Sequence, residues 1–217
     1  MPKRRPIDAV VFDLGGVLID WNPRHLYRKL FGGDDLGMER FLTSVCTQPW
    51  NEQHDRGRSF SESIAELSTR HPSYEVMIRA YRARWPEMLN GPIDGSVEVL
   101  AELVQSGRRL FALTNWSAET FPIALERYEF LRWFDGIIVS GHEGIAKPDV
   151  EIFELLLDRF GLTAATTLFI DDTLVNVKAA HLLGLQVLHF LSAEGLREEL
   201  AARHLVAATG DLQSATA

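Results

Sequence analysis

An apolar run that ends in an aspartate and two glycines constrains this chain more than any other stretch. Residues 9–18 read Ala-Val-Val-Phe-Asp-Leu-Gly-Gly-Val-Leu. Four consecutive apolar residues are typical of a strand buried on both faces of a parallel sheet. Asp13 then stands at the carboxyl end of the strand, where ligands bind in open α/β sheets. Glycines at such a position let backbone N–H groups approach an anion closely, so the segment predicts a carboxylate beside an anion site.

Strand-like runs alternate with helical patterns along the rest of the chain, which predicts an α/β fold with a parallel sheet and crossover helices. The predicted strands are Ala9–Phe12, Leu110–Thr114, Gly136–Val139, Thr167–Ile170 and Gln186–Phe190. The predicted helices, each with a glycine near its end, are Val97–Gln105, Val150–Phe160 and Leu174–Leu183.

The pattern changes between Asp20 and about Pro92, where helical periodicity is continuous and no convincing strand is present. This stretch is aromatic and rich in arginine. It predicts a helical insertion over 21–90 in a sheet domain formed by 6–20 and 91–206. The small and polar residues 207–217 predict a loose tail.

Three later segments also carry polar residues at positions suited to a shared site. They are Leu110–Thr114 followed by Asn115, Lys147-Pro148 ahead of a predicted helix, and Thr167–Ile170 followed by Asp171-Asp172. With Asp13 first, this order resembles the haloacid dehalogenase superfamily over essentially the whole chain after its first few residues. The resemblance implies a Rossmann-like doubly wound sheet with the first strand in the middle. It also implies that the helical insertion is a cap that closes over the site and selects the substrate.

The resemblance further implies a Mg²⁺-dependent phosphatase that works through an aspartyl-phosphate on Asp13. Three converging carboxylates repel one another without a cation, and hard oxygen ligands suit Mg²⁺. The expected metal ligands are Asp13, the carbonyl of Gly15, Asp172 and, directly or through water, Asp171. The expected catalytic residues are Asp13, Lys147 and Thr114, and the expected substrate contacts are Thr114, Asn115, Lys147, Trp116 and Arg56. Asn176 is expected either to orient Asp172 or Lys147 or to cap its helix.

One position departs from the family pattern. Most phosphatases of this superfamily carry an aspartate two residues after the nucleophile, which acts as general acid and base. Gly15 holds that position here and has no proton to give, although acid–base help is typically worth about 10²–10⁴-fold in rate. Either another group substitutes, or the leaving group needs little protonation, or the activity is poor. Asp20 and His54 are candidate substitutes, although each residue is more often structural.

The form Asp-Leu-Gly-Gly-Val-Leu-Ile-Asp resembles a phosphatase branch that includes sugar-1-phosphate phosphatases, so a sugar phosphate is one expected substrate. Several cap residues are expected to contribute to specificity, namely Trp50, Asn51, Asp55, Arg56 and Arg58. Three alternatives stay open. They are a metal-free 2-haloacid dehalogenase, a phosphomutase, and a weakly catalytic module that binds a phosphorylated ligand. Gly15 and the Asp171-Asp172 pair favour the metal-dependent branch over the dehalogenase.

Charge and composition limit the partners. The formal net charge is −8 over 217 residues, which argues against nucleic acid and anionic membranes but not against a phosphate held by a metal ion and a lysine. No apolar run reaches the length of a membrane span, and the basic residues 1–5 lack the apolar centre of a signal peptide. We therefore expect a cytoplasmic protein with a small phosphorylated metabolite as its partner. The sequence leaves monomer and homodimer undecided.

Overall fold

A five-stranded parallel sheet organises the computed structural model, which describes residues 6–208. The strands of this range are, in chain order, β1 (Ala9–Phe12), β2 (Ile19–Trp21), β3 (Leu89–Pro92), β4 (Arg109–Thr114), β5 (Gly136–Val139), β6 (Thr167–Asp171) and β7 (Gln186–His189). The sheet has the order β5-β4-β1-β6-β7, and each neighbouring pair is parallel. The prediction of a doubly wound sheet with the first strand in the middle is therefore confirmed.

The central strand is buried on both faces, as its unbroken apolar sequence predicts. Val10 and Phe12 belong to one apolar cluster, and Ala9 and Val11 belong to another on the opposite face. This alternation follows from the two-residue period of a strand. Each face is covered by helices that the sequence places between strands, so the carboxyl ends of the strands remain the open edge of the sheet.

Helices cover both faces of the sheet and form the insertion. The insertion contains α1 (Arg24–Phe31), α2 (Asp35–Ser44), α3 (Gln48–Asp55), α4 (Phe60–Arg70) and α5 (Glu75–Ala83). The other helices are α6 (Asp94–Gln105), α7 (Phe121–Arg127), α8 (Ser140–Glu143), α9 (Val150–Phe160), α10 (Leu174–Leu182) and α11 (Ala193–Ala201). Short 3₁₀ helices occur at Pro72–Tyr74, Trp85–Met88, Glu129–Trp133 and Ala164–Thr166. Within the described range no helix is both long enough and apolar enough to cross a membrane.

The insertion, which we call the cap (residues 21–90), begins and ends at two paired strands. β2 and β3 are antiparallel neighbours, so the prediction that this region holds no strand is wrong. One apolar cluster extends from the cap into the sheet domain, since Leu26 and Phe41 of the cap share it with Phe12 and Val99. The predicted tail falls mostly on 209–217, which lie outside the described residues.

Candidate active site

Three parallel strands bring the predicted site residues to one edge of the sheet. Asp13 follows β1, Thr114 ends β4 and Asp171 ends β6, and β1 lies between the other two strands. Asp13 is 7% exposed, and its Oδ1 accepts a hydrogen bond of 2.7 Å from the backbone N–H of Leu14. The cap lies over this edge, and an open cavity of about 350 Å³ lies between the cap and the sheet domain. Asp13, Gly15, Thr114, Asn115, Trp116, Lys147, Asp172 and Asn176 are among its lining residues.

Lys147 links Asp13 to the acidic pair. Its Nζ lies 3.0 Å from Oδ2 of Asp13 and donates to Oδ2 of Asp171 at 2.7 Å and to the carbonyl of Leu113 at 2.8 Å. Asn115 holds the Lys147 backbone, because its Nδ2 donates to the Lys147 carbonyl at 2.8 Å and its Oδ1 accepts from the Lys147 N–H at 2.9 Å. The amide predicted to contact substrate is therefore engaged in positioning Lys147.

The site places three carboxyl groups close to the one amine of Lys147. Burial raises the pKa of Asp13 to about 8, opposed by the charge of Lys147 and increased further by Asp171 and Asp172. Burial, together with Asp171, also raises the pKa of Asp172. Burial alone would lower the pKa of Lys147, but Asp13 and Asp171 raise it above its ordinary value. The Lys147 amine therefore stays charged. Its single positive charge does not balance three carboxylates, so the site would favour a further cation.

The two adjacent aspartates occupy different environments. Asp171 is fully buried and accepts hydrogen bonds from the Thr173 N–H at 2.8 Å and from Asn176 Nδ2 at 3.1 Å, in addition to Lys147. Asp172 instead lines the cavity. Asn176 thus orients Asp171, a partner that the sequence analysis did not anticipate. This arrangement favours Asp172 over Asp171 as the carboxylate that contacts a bound ion directly.

The donor set fits a divalent cation. Asp13, Asp171 and Asp172 each offer a carboxylate oxygen, and these oxygens all lie within 4.8 Å of one another. Carboxylate oxygens with space for water are the ligands that Mg²⁺ prefers. Without a cation, the raised pKa of Asp13 favours its neutral form. A divalent cation at this place would favour the ionised form.

Two consecutive glycines have different surroundings. Gly16 has a φ of +75°, and a Cβ built on it would lie 2.3 Å from Oδ2 of Asp172, so only glycine fits the turn at this position. At Gly15 a Cβ would meet no heavy atom within 4 Å. The position at which the family resemblance leads one to expect an acid therefore has open space, and it lines the same cavity as Asp13.

The cap lines the far side of the cavity with both aromatic and polar side chains. Its aromatic lining residues are Trp21, Phe60 and Trp85, and the sheet domain adds Trp116. Trp116 is 5% exposed and packs against Trp85 with ring centroids 5.5 Å apart. Its indole N–H is buried and has no hydrogen-bond partner among the described residues. The predicted substrate contact at Trp116 thus lies at the cavity with an unused donor.

Several predicted cap residues lie elsewhere. The Arg56 guanidinium pairs with Asp149 at the start of α9. Arg56 does not line the cavity, so the structure does not place it where the predicted substrate contact requires it. Arg58 pairs with Glu66, and Trp50 is buried in the cap interior. Asn51 and Asp55 do line the cavity.

Neither candidate substitute for the missing acid reaches the cavity. Asp20 bonds to His25 at 3.1 Å and to Asn90 at 2.9 Å. His54 is fully buried in the cap, with its ring stacked 3.8 Å from that of Phe60. Both residues are structural in this arrangement.

Two known phosphatases are similar to this chain in sequence. The sesquiterpene phosphatase astK of Aspergillus oryzae is 33% identical over 184 residues, which cover 83% of this chain and 88% of that protein. The N-acetylmuramic acid 6-phosphate phosphatase of Pseudomonas aeruginosa is 24% identical over 187 residues, covering 82% of this chain and 78% of that protein.

A solved structure shows the same fold. It is a HAD-family enzyme of Bacteroides thetaiotaomicron in complex with magnesium and inorganic phosphate, with a TM-score of 0.65 and 22% identity over 86% of this chain and 95% of that chain. Residues 7–184 match the family described as haloacid dehalogenase-like hydrolase. This match spans most of the chain, and the protein therefore belongs to the haloacid dehalogenase-like hydrolase family.

Proposed function

We propose that this protein is a Mg²⁺-dependent phosphatase that hydrolyses a small phosphate monoester with Asp13 as the nucleophile. The observation that carries the proposal is the Lys147 amine held between Asp13 and Asp171, with Asp172 facing the same cavity as Asp13. Phosphatases among its relatives and a magnesium and phosphate complex of a protein with this fold support it.

Each side chain at this end of the cavity has its own role in phosphoryl transfer. An oxygen of the Asp13 carboxylate attacks phosphorus, and Lys147 keeps this carboxylate oriented and favours its ionised form. The Thr114 hydroxyl is suited to donate to a phosphate oxygen, since it ends the strand beside Asp13. Mg²⁺, held by Asp13, Asp172 and the Gly15 carbonyl, would supply positive charge against the phosphate oxygens. Water then hydrolyses the aspartyl-phosphate and restores Asp13.

The lining of the cavity indicates the substrate class. Trp21, Phe60, Trp85 and Trp116 present aromatic surface, and the indole N–H groups of Trp21 and Trp116 have no hydrogen-bond partner among the described residues. Such a lining suits a phosphate monoester whose organic group has an apolar or ring face. Both a terpenyl group and a sugar ring have such a face, and the relatives include a sesquiterpene phosphatase and a sugar-phosphate phosphatase.

The test is phosphate release by the purified protein from a panel that includes farnesyl monophosphate and hexose phosphates. We expect release that requires Mg²⁺, and a loss of more than about 10⁴-fold in kcat for Asp13→Asn with an unchanged fold by circular dichroism. Full activity in excess chelator, or substantial turnover by Asp13→Asn, would rule the mechanism out. Halide release from a 2-haloacid without metal would instead support the dehalogenase alternative.

A further inference from the structure

With glycine at position 15, the site lacks a proton donor for the leaving group at that position. Attack on a phosphate ester of a poorly acidic alcohol requires a proton for the departing oxygen, and Gly15 cannot provide it. The space beside Gly15 is open, and neither Asp20 nor His54 reaches the cavity. A carboxyl group of the cap does reach it. Asp55, the last residue of α3, lines the same cavity as Asp13 and Gly15.

Asp55 is held in place by a short chain of two hydrogen bonds that begins at a buried residue, Tyr81. The Tyr81 hydroxyl donates to Oδ1 of Asn51 at 2.8 Å, which fixes the orientation of the Asn51 amide. Nδ2 of Asn51 then donates to Oδ2 of Asp55 at 3.0 Å. Tyr81 and Asn51 are both buried, so the chain limits the rotation of the Asp55 carboxyl group. Such positioning is what acid–base catalysis requires.

Asp55 lines the cavity together with several residues of the sheet domain. The charge of Lys147 and the backbone dipole of Ser117 both lower the pKa of the Asp55 carboxyl group. Ser117 lies in the loop that follows Thr114 and lines the same cavity. The Asp55 carboxyl group of the cap and the loop that follows Thr114 therefore face the same cavity.

The environment of Asp55 keeps both of its protonation states accessible near neutral pH. Burial, then the neighbouring charge of Glu52, raises its pKa to about 7, while Lys147 and the Ser117 backbone oppose this shift. The charged side chains that line the cavity with it are Asp13, Glu52, Lys147 and Asp172. A group with a pKa near the working pH is suited to donate a proton in one step and accept one in the next.

We propose that Asp55 is the general acid and base that replaces the missing residue at Gly15, a role that rests on the proposed phosphatase function. In the first step an Asp13 oxygen bonds to phosphorus, and the bond from phosphorus to the leaving oxygen breaks. The electron pair stays on the leaving oxygen, which takes the proton of neutral Asp55. In the second step the Asp55 carboxylate takes a proton from the water that attacks phosphorus. The Asp13–phosphorus bond breaks, and phosphate, ionised Asp13 and neutral Asp55 result.

The experiment compares p-nitrophenyl, phenyl and benzyl phosphate, which run from a good to a poor leaving group at similar shape. For Asp55→Asn we expect kcat/KM to fall about 10²–10⁴-fold on benzyl phosphate and less than about tenfold on p-nitrophenyl phosphate. Activity of the natural protein on benzyl phosphate should fall as pH rises through about 7, because the acid must be protonated. Asp55→Asn should lack this decline.

Glu52→Gln is the matched control, since Glu52 lines the cavity one turn earlier on the same helix. It should keep the leaving-group dependence of the natural protein and move the decline on benzyl phosphate to lower pH, because removing this anion lowers the pKa of Asp55. Thermal unfolding and binding of inorganic phosphate with Mg²⁺ report whether Asp55→Asn is folded. If it is not, Asp55→Ser must show the same pattern.

The outcomes separate the two proposals. No phosphate release by the natural protein from any ester would overturn the phosphatase function and, with it, the role of Asp55. Release by the natural protein combined with an equal loss on all three esters for folded Asp55→Asn, or with no loss at all, would overturn only the role of Asp55.

Discussion

Gly16 and Asp172 share one narrow space at the mouth of the site. A Cβ built on Gly16 would lie 2.3 Å from Oδ2 and 2.8 Å from Cγ of Asp172, well inside van der Waals contact. The turn after β1 therefore fixes where this carboxylate can be, although the two residues are far apart in sequence.

Gly16→Ala should displace the Asp172 carboxylate and raise the Mg²⁺ concentration for half-maximal activity by at least about tenfold. Gly144→Ala is the matched control, because Gly144 has the same φ of +75° but no heavy atom within 4 Å of its built Cβ. Both variants should lose about 1 kcal/mol of stability through backbone strain. The measurement is a Mg²⁺ titration of activity with thermal unfolding, and an equal Mg²⁺ requirement in both variants would contradict the expectation.

Lys147→Met should lower the free energy of unfolding by about 3–5 kcal/mol, because it leaves the Asp13 and Asp171 carboxyl groups buried without their cation. Lys178→Met, at an exposed position of α10, should change it by less than about 0.5 kcal/mol. Urea unfolding at neutral pH without added metal measures both values. A Lys147→Met variant as stable as the control would show that the network does not stabilise the fold.

His54 should make the stability of the protein depend on pH. Burial lowers its pKa from 6.5 to about 4, so the unfolded chain binds a proton in this window that the folded chain does not. The free energy of unfolding should therefore fall as the pH drops from about 6.5 to about 4. One pKa unit corresponds to about 1.4 kcal/mol, so the loss is on the order of 3 kcal/mol.

The comparison variant is His54→Phe, which keeps a ring against Phe60 but cannot be protonated. It loses the ring partner of the Ser63 hydroxyl, so it should be less stable at pH 7. The stability difference between the two proteins should shrink on acidification, as followed by urea unfolding at several pH values. A difference that is constant between pH 7 and 4 would exclude His54 as the source.

Arg56→Ala should change substrate KM more than Mg²⁺ affinity or stability. The Arg56–Asp149 pair joins the loop after α3 to the start of α9, beside the cavity-lining Pro148. Because both side chains are partly exposed, the pair should contribute less than about 1 kcal/mol to stability. The test is a double-mutant cycle with Asp149→Ala, and additive effects on KM would mean that the pair does not hold the cap loop over the site.

The strand-end residues could be predicted because their positions follow from local sequence. A buried parallel strand is a continuous apolar run, and its carboxyl end is marked by the first polar residue, as at Asp13 and Asp171. β1, β5 and α9 have the predicted boundaries, whereas α6 begins earlier, at Asp94. The fold and the place of Asp13 at the end of a central strand can therefore be predicted from the sequence.

Other features depend on contacts that the local pattern does not contain. β2 and β3 are only three and four residues long, and each gains its hydrogen bonds from a strand at the other end of the cap. Asp55 is one acidic residue of a polar helix in the sequence, and only the packing of the cap over the sheet domain brings it to the cavity that Asp13 lines. His54 and Asp20 were equally plausible by residue type, and tertiary packing separates them from the cavity.

The pairing of β2 with β3 makes the cap a module with a single attachment point. Since both ends of the cap leave the sheet domain side by side, cap length can change without displacing β1 or the helix that follows β3. The apolar cluster shared with the sheet sets the limit, because a replacement cap must still cover Phe12 and Val99. A different cap would thus change the surface that faces the cavity while Asp13 and Asp172 keep their places in the sheet domain.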